Sequence, residues 1–453
     1  MRKNSKRWLS ILLAGTMSIM ALTGCSGESS EKPAARAAES ESAGAEEAKD
    51  DKEVTLSLLN SMTPGEGTAI SYRAVLSKFE EENPNIHLDE ETIANADMAT
   101  KVQTLAAADE LPDIFMLKGQ MVKNFVENGK VLCVDDILNE DPEWRDSFKD
   151  GIFSNYIVDG KTYGIPYQIT NTCVFYNKDL FAKAGVENFP KTWDEFIEAV
   201  KKIKASGVTP IVLGNKAKWN AESVIMSTLG NRCTGDEWYQ SIRDKNGASF
   251  TDPEFVASLQ ALANLADAGA FNTDVNSLDN IQQRQVYMNG EAAMSIDGSW
   301  TIVEFDNNAP QEILETTEVA ALPMVDGGKG NPDAITGGSG WAYAVNANID
   351  PAKLPAVKKY LRAVAGVEFA NEMAKIGTNT VIEPTENNEG DPSKVVATKF
   401  NEFQKGRQYI PVYDHQLSSG IMDVMQSGLQ ELLIGRISAE ELAQKIQEEY
   451  ARD

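Results

Sequence analysis

Four stretches of the sequence combine aromatic side chains with amides, hydroxyls or carboxylates near the ends of predicted strands. Residues 163–171 (YGIPYQITN) precede a strand, Trp219 and Asn220 follow one, residues 295–300 (SIDGSW) end one and residues 337–341 (GGSGW) begin one. Sugar rings have apolar C–H faces and polar hydroxyl edges, so a site for them needs flat aromatic platforms beside hydrogen-bonding groups. This combination favours carbohydrate binding.

The tryptophans divide into two groups. Trp144 and Trp193 lie within or near predicted helices, and we assign them to packing. Trp300 and Trp341 are flanked by glycines, so either a binding surface or a core position fits them. A tryptophan that covers ~100 Å² of apolar ligand surface would stabilise a complex by roughly 2.5 kcal/mol.

Signals for catalysis are sparse. His87 and His415 are far apart in sequence and have no nucleophile motif beside them, so we expect surface or core positions for both. Carboxylate pairs could serve a glycosidase, but with 68 acidic residues a pair decides nothing. Residues 386–391 (ENNEGD) are rich in oxygen ligands but lack the spacing of a calcium loop. We therefore predict no enzyme activity, no cofactor and no metal.

The N-terminus has the pattern of an export signal. Basic residues precede an apolar stretch at residues 8–21, and Leu22, Thr23, Gly24 and Cys25 follow. The stretch is shorter than the ~20 apolar residues needed to span a bilayer. Residues 1–24 resemble a bacterial lipoprotein signal, which implies that Cys25 is acylated. We expect the protein on the outer face of the cytoplasmic membrane, attached by its lipid alone.

Charge and cysteine content narrow the function further. The chain carries a formal charge of −26 with no compensating basic cluster, which excludes nucleic acid as a partner. Beyond Cys25, the chain has Cys133, Cys173 and Cys233 at long spacings. This is neither a disulfide framework nor a zinc pattern, so we expect small buried side chains, with one disulfide left open.

The chain after the signal divides into a linker and a large body. Residues 25–53 are acidic and lack aromatic residues, so we expect a disordered leash. From residue 54 onward, strand and helix patterns alternate, which predicts an α/β fold of two lobes with mostly parallel sheets and a cleft between them. The predicted strands cover residues 54–59, 113–117, 174–176, 211–213, 292–296 and 341–345.

Several helix boundaries have explicit signals. A helix carries apolar residues from Ile70 to Phe79 and stops at Asn83 and Pro84. Capping-box patterns begin at Thr192, Thr251 and Ser438, each with a glutamate three residues later.

An ordered set of motifs gives the chain a family resemblance. Most specific are residues 79–88 (FEEENPNIHL), 163–167 (YGIPY), 176–185 (YNKDLFAKAG), 189–211 (FPKTWDEFIEAVKKIKASGVTPI) and 287–300 (YMNGEAAMSIDGSW). From residue 54 onward the chain resembles the family 1 extracellular solute-binding proteins of ABC importers, in particular the carbohydrate-binding group. The resemblance implies two lobes that close on a ligand and present it to a membrane permease.

The resemblance also implies where the chain crosses between lobes. The expected crossings are near residues 166–170, residues 321–323 and Gly366. The first lobe would then comprise residues 54–168 and 324–366. The second would comprise residues 169–323 and 367–453, and we expect a monomer.

Candidate ligand residues follow partly from the resemblance. Trp300 matches the family's sugar-stacking tryptophan, Asp297 lies beside it, and Thr170 and Asn171 fall at a crossing strand. The family's maltose-specific member has a tryptophan and an Asp-Arg pair at the positions where this chain has Leu117 and then Gln120-Met121. That member also has a late tryptophan where this chain has Met422. Both differences argue against maltose as the ligand. The resemblance adds Gln120 through this corresponding stretch. Loop position and side-chain chemistry add Ser61, Glu66, Lys118, Tyr167, Trp219, Asn220, Ser339 and Trp341.

The sequence thus predicts a lipid-anchored binding component of a sugar importer. Two alternatives remain open: the same fold with a polyol or glycerophosphodiester as ligand, and a secreted carbohydrate-active enzyme. A phosphate ligand would favour arginines or helix N-termini in the cleft, whereas the candidate loops offer chiefly Lys118. The sequence does not identify the sugar, its length or its linkage.

Overall fold

A computed structural model describes residues 52–64, 67–386 and 393–453 of the chain. The predicted signal at residues 1–24, Cys25 and nearly all of the linker lie outside the described residues. So do Glu66 and most of the oxygen-rich stretch that begins at Glu386.

The strands predicted from sequence are all present within a few residues of their expected bounds, and residues 341–345 form a strand with the predicted ends. The strands are β1 Val54–Asn60, β2 Ile86–Thr92, β3 Ile114–Lys118, β4 Ile157–Val158, β5 Lys161–Thr162, β6 Ile165–Pro166, β7 Thr170–Asn177, β8 Thr209–Val212, β9 Ala292–Gly298, β10 Thr317–Ala320, β11 Ile335–Gly338, β12 Trp341–Val345 and β13 Tyr409–Ile410.

Helices connect most of these strands, together with short 3₁₀ turns at Ser154–Tyr156, Ser299–Thr301, Pro351–Lys353 and Tyr413–His415 and a π-helical turn at Ala221–Met226. The helices are α1 Gly67–Glu82, α2 Asn95–Ala108, α3 Gly119–Glu127, α4 Asp135–Asn139, α5 Pro142–Asp146, α6 Lys178–Lys183, α7 Trp193–Ala205, α8 Ser227–Thr234, α9 Asp236–Arg243, α10 Pro253–Asp267, α11 Asn280–Met288, α12 Ile302–Asn308, α13 Gln311–Thr316, α14 Leu354–Val364, α15 Val367–Lys375, α16 Val395–Gln404, α17 Ser419–Leu433 and α18 Ala439–Tyr450.

Two sheets organise the body, and the α/β prediction is confirmed. The first has the strand order β2-β1-β3-β12-β6. The second has the order β13-β11-β7-β9-β8, and β10 pairs with β7. We call each sheet, with the helices and the apolar core packed on it, the first lobe and the second lobe.

The prediction of mostly parallel sheets is wrong, because both sheets are mixed. Strand β1 pairs in parallel with β2 and β3, but β12 runs antiparallel to β3 and β6. In the second sheet, β7 runs antiparallel to β9, β10 and β11. Strands that are joined by a helical crossover run parallel to each other. Strands β7 and β12 each follow a passage of the chain between the sheets instead, so they enter their sheets in the opposite direction.

The predicted lobe boundaries also need correction. Residues 324–366 were assigned to the first lobe, yet β11 is hydrogen-bonded to β7 and β13 in the second sheet. Helix α15 was assigned to the second lobe, yet Phe369 and Met373 are buried in the core of the first. The second and third crossings were therefore predicted too early in the chain. The local sequences of β11 and α15 contain no signal that indicates to which lobe each belongs.

Helix starts test the capping predictions. Thr192 and Ser438 form capping boxes with Glu195 and Glu441, as expected. The box at Thr251 is wrong, because Asp252 is the N-cap of α10 and Pro253 occupies the first helical position. Proline is favoured there since it needs no hydrogen-bond partner for its nitrogen, and it moves the start of the helix past Thr251.

The apolar side chains behave as the pattern predicts in both lobes. Trp144 and Trp193 are buried in the cores of the first and second lobes, respectively. Cys133, Cys173 and Cys233 are free thiols, and the latter two are buried. In the described part of the chain, no helix has the length and apolarity needed to cross a bilayer.

Candidate functional site

Two passages of the chain between the lobes lie side by side. The first leads from β6 to β7, and the second leads from β11 to β12. Thr170 is paired with Gly338 on one side of these passages, and Lys118 with Trp341 on the other. This topology gathers Lys118, Thr170, Ser339 and Trp341, all predicted site residues, where the two sheets adjoin.

A charged cluster joins the lobes at this place. The ammonium group of Lys118, at the end of β3, contacts the carboxylate of Asp414 in the second lobe. Ser223 Oγ lies 3.0 Å from carboxylate oxygens of both Asp414 and Glu222. Ser227 Oγ donates a hydrogen bond of 2.9 Å to the other oxygen of Glu222. We call Lys118, Glu222, Ser223 and Asp414 the seam.

The two carboxyl groups of the seam have opposite pKa shifts. Burial, reinforced by the charge of Asp414, raises the pKa of Glu222 to about 8. Burial alone would also raise the pKa of Asp414, but Lys118 and the hydrogen bonds that Asp414 accepts lower it below its ordinary value. At neutral pH the seam therefore holds one ammonium, one carboxylate and one protonated carboxyl group, with a net charge of zero.

His415 packs between the lobes beside the seam. A Cβ atom on Gly340 would lie 2.7 Å from His415 Nε2, and one on Gly119 would overlap the His415 carbonyl oxygen. Burial lowers the pKa of His415 to about 4, so its imidazole is neutral at pH 7. The imidazole of His415 is buried, which agrees with the expected surface or core position. Side chains larger than glycine at positions 119 and 340 would clash with His415.

Trp219 and Trp300 form an aromatic corner in the second lobe. Their ring centroids are 5.8 Å apart and the rings are inclined by 65°, close to an edge-to-face arrangement. Trp300 is partly buried, and its Nε1 atom is shielded from solvent without a hydrogen-bond partner in the described residues. The start of α1 in the first lobe approaches this corner, since a Cβ on Gly67 would lie 3.2 Å from the Trp300 carbonyl oxygen.

A groove of about 700 Å³ opens between the lobes. Its first-lobe wall is formed by α2 and α3, and its second-lobe wall by the start of α17 and Asp453. Gln120 Oε1 and Ser418 Oγ, on opposite walls, are shielded from solvent and have no partner among the described residues. The volume of the groove falls within the range of small-molecule sites.

Three predicted residues are engaged inside their own lobes. Asp297 is fully buried and accepts hydrogen bonds from Arg284 Nε, at 3.2 Å, and from the Gly298 backbone. Asn220 donates to the Gly214 carbonyl at 2.8 Å. Tyr167 lies in the core of the first lobe, with its ring 5.2 Å from that of Tyr343.

The other predicted residues lie nearer the passages. Trp341 is 8% exposed, with the Lys118 ammonium 5.7 Å from its ring centroid. Ser339 is buried and its Oγ has no partner among the described residues. Thr170 Oγ1 donates to the Gly338 carbonyl at 3.2 Å, Asn171 accepts from Asn379, and Ser61 is buried beside Met116.

Sequence reasoning missed Glu222, Ser223, Asp414 and Ser418. Glu222 follows a predicted site residue, Asn220, by two positions, which is a weak signal. Asp414 lies 296 residues from its partner Lys118, and nothing local distinguishes it from other aspartates. In the described part of the chain, no group of three or more metal-ligating side chains is brought together.

Comparison with known proteins places this geometry in a family. The family model for bacterial extracellular solute-binding proteins matches residues 65–370. A solved chitin oligosaccharide binding protein is 26% identical with a TM-score of 0.79, over 88% of this chain and 98% of that one. A structure from work on xylan utilization by the thermophilic bacterium Caldanaerobius polysaccharolyticus is 30% identical with a TM-score of 0.76, over 87% of this chain and 99% of that one.

Curated relatives match over shorter lengths. Binding proteins of Brucella abortus and Brucella suis are 27% identical over 253 residues, so the match spans 56% of this chain and only 60% of theirs. The multiple sugar-binding protein of Streptococcus mutans is 25% identical over 300 residues, which is 65% of this chain and 67% of that protein. Since the family model covers well over half of the sequence, the chain belongs to the family of bacterial extracellular solute-binding proteins.

Proposed function

We propose that this protein captures a neutral oligosaccharide outside the cell and delivers it to the permease of an ABC importer. The observation that carries the proposal is the interlobe groove, whose two walls offer unpartnered polar atoms at Gln120 and Ser418. A chitin oligosaccharide, xylan utilization and multiple sugars appear in the names of similar proteins, which supports a sugar as ligand.

The aromatic corner does not line the groove itself, but in this proposal it supplies the apolar half of the ligand site. A sugar ring that covers ~100 Å² of the Trp300 face would gain roughly 2.5 kcal/mol. Each hydroxyl buried without a partner would cost about 1–3 kcal/mol, so the amide and hydroxyl groups of the groove would set selectivity. Trp300 thus acts as the platform, with Trp219 supporting it from the side.

The charges near the groove favour a neutral ligand over a phosphate or carboxylate. Lys123 lies 4.0 Å from Glu127, Lys130 is paired with Asp109, and Lys118 is paired with Asp414. An anionic ligand would have to displace the carboxylates paired with Lys130 and Lys118, whereas the exposed contact between Lys123 and Glu127 contributes little. The glycerophosphodiester alternative is therefore disfavoured on this chemistry, whereas a polyol remains compatible with it.

Binding proceeds in this proposal by closure of the two lobes. The first lobe comprises residues 54–166 and 341–382, and the second comprises residues 170–338 and 395–453. A ligand that contacts Gln120 on one wall and Ser418 on the other binds the closed state better than the open state, and so shifts the population toward it. The permease then selects the closed form.

The N-terminal pattern supports the proposed location. Acylation of Cys25 after removal of residues 1–24 would hold the protein, as a monomer, on the outer face of the cytoplasmic membrane. We expect Cys25→Ser to release the protein into the medium, as judged by immunoblots of cells and culture supernatant. Equal incorporation of labelled palmitate into Cys25→Ser and the native protein would contradict the lipid anchor.

Thermal-shift screening followed by calorimetry tests the ligand class. Chitotriose, xylotriose, maltotriose and stachyose serve as neutral probes, and sn-glycerol 3-phosphate and galacturonate as charged ones. We expect at least one neutral oligosaccharide to raise the melting temperature, because a ligand bound only to the native state stabilises it. Response to a charged probe alone would contradict the proposal, and turnover of any glycan would favour an enzyme instead.

A further inference from the structure

The indole of Trp300 lies directly on the backbone of Gly298. A Cβ atom on Gly298 would be 2.5 Å from Cε3 of the indole and closer still to Cζ3 and Cη2. Gly298 has φ −117° and ψ 176°, an extended conformation that any residue can adopt. The space occupied by the ring, and not the backbone conformation, therefore requires glycine here.

A buried ion pair is hydrogen-bonded to the backbone of Gly298. Its backbone N–H donates a hydrogen bond of 2.9 Å to Asp297 Oδ1, and the other oxygen of Asp297 accepts from Arg284 Nε at 3.2 Å. Arg284 also donates from Nη1 to Glu304 Oε2 at 2.9 Å. Arg284 and Asp297 are almost completely shielded from solvent, so this chain of contacts is rigid.

The residue between Gly298 and Trp300 attaches the turn to the passage between the lobes. Ser299 Oγ accepts a hydrogen bond of 3.2 Å from the backbone N–H of Asn171, at the start of β7. The turn is thus held on one side by α11 and α12, through Arg284 and Glu304, and on the other by β7. The Nε1 atom of the indole has no hydrogen-bond partner among the described residues.

We propose that Arg284, Asp297 and Gly298 form a mount that positions the indole of Trp300 for ligand stacking. Asp297 and Gly298 act through Trp300 and are positioning residues, so Asp297 does not itself bind sugar. The inference rests on the proposed function, because it assumes that Trp300 is the ligand platform. Ligand affinity then depends on Gly298 and on the buried ion pair of Arg284 and Asp297, although the ligand contacts none of these residues.

The test is a double-mutant cycle between Gly298→Ala and Trp300→Ala. The probe is the neutral oligosaccharide with the largest thermal shift in the panel, measured by calorimetry. We expect Gly298→Ala to weaken binding about tenfold, because the added methyl group displaces the ring. In the Trp300→Ala background the methyl group meets no ring, so the same change should leave affinity and melting temperature unaltered.

A ligand-free measurement reports the ring position directly. Two neighbouring indoles give coupled circular-dichroism bands, and the Trp219–Trp300 pair should produce them in the native protein. We expect Gly298→Ala to alter these bands while the melting curve stays cooperative. If Gly298→Ala unfolds the protein, recovery of folding in the double variant would still identify the indole as the source of the clash.

The outcomes separate the mount from the proposed function. Unchanged dichroism and unchanged affinity in Gly298→Ala would overturn the mount. Equal losses from Gly298→Ala in the native and Trp300→Ala backgrounds would also overturn it, since the effect would then bypass the ring. Altered dichroism with no response to any oligosaccharide would support ring placement by Gly298 and refute the sugar-binding function.

Discussion

The aromatic corner and the seam both lie near the junction of the lobes, but the corner consists of two tryptophans, whereas the seam consists largely of charged side chains that offset one another. In the corner, the buried Nε1 atom of Trp300 has no partner among the described residues. In the seam, the Lys118 ammonium offsets the charge of Asp414, and Ser223 Oγ lies within hydrogen-bonding distance of both carboxyl groups, while Asp414 Oδ1 has no hydrogen-bond partner among the described residues. A surface with an unpartnered donor is suited to a ligand, whereas an internally neutral cluster is suited to lobe contact.

This contrast predicts that the two regions fail differently. Damage to the corner should weaken ligand binding and leave the fold intact, because the rings lie at the edge of the second-lobe core. Damage to the seam should lower stability first, because it leaves buried charge unpaired. Four variants test this contrast.

The largest effect is expected from Lys118→Met. Asp414, whose side chain is 2% exposed, would lose its counter-ion, and the free energy of unfolding should fall by about 3 kcal/mol. Chemical denaturation at pH 7 measures the loss. Combination with Asp414→Asn should restore most of the stability, because the buried charge is then removed. Equal stability of the native protein and Lys118→Met would contradict the assignment of the seam.

Trp300→Ala should have the next largest effect, on affinity. Loss of ~100 Å² of apolar contact corresponds to about 2.5 kcal/mol, or roughly sixtyfold weaker binding of the best neutral oligosaccharide. Calorimetry measures the affinity, and a melting curve measures the fold. Trp300→Phe is the matched control and should retain part of the affinity. A collapsed fold, or undiminished binding, would refute the platform role.

The protonated carboxyl group of Glu222 should give the seam a pH signature. The pKa is raised in the folded protein to about 8 from an ordinary value near 4.5, so the folded state retains a proton that the unfolded state releases. Stability from this group is complete below pH 4.5 and declines until pH 8. His415, with its pKa lowered to about 4, acts oppositely but only below pH 6.5.

Between pH 6.5 and 8, therefore, Glu222 should dominate, and the native protein should lose about 2 kcal/mol of stability. Glu222→Gln keeps an acceptor for Ser227 and cannot ionise. Denaturation curves at pH 6.5 and 8 should show a much smaller difference for this variant. An identical pH dependence in both proteins would remove Glu222 as its source.

Trp219→Phe should have the smallest effect. An edge-to-face pair contributes about 0.5–1.5 kcal/mol, and phenylalanine keeps part of it, so binding should weaken about threefold. Calorimetry with the same oligosaccharide checks the value. A loss as large as that of Trp300→Ala would indicate that Trp219 is itself a platform.

Local signals were predictable from the sequence and long-range ones were not. The capping boxes at Thr192 and Ser438 and the strand Trp341–Val345 depend on neighbouring residues, and the structure confirms them. The capping box predicted at Thr251 is absent because Pro253 occupies the first helical position and makes Asp252 the N-cap of α10. Residues 335–338 and 367–375 were assigned to the wrong lobes because strand pairing and core membership depend on partners elsewhere in the chain.

The candidate site shows the same division. Lys118 was predictable from its loop position and side-chain chemistry, and Gln120 from the family resemblance. Asp414 was missed because burial, and not residue type, distinguishes it among 68 acidic residues. Asp297 was proposed as a hydroxyl acceptor, but its oxygens face Arg284 and Gly298, a contact made only once β9 and α11 have packed.

The two side-by-side passages of the chain, from β6 to β7 and from β11 to β12, have a mechanical consequence. A single strand between two bodies allows twist as well as bend. Adjacent segments resist twist more than a single strand does, and Thr380 forms a bridge with Gln168 beside the first passage, so bending about this group of segments is the least opposed motion. In the proposed function, ligand binding in the groove would therefore change mainly the angle between the lobes, and the permease would recognise that angle.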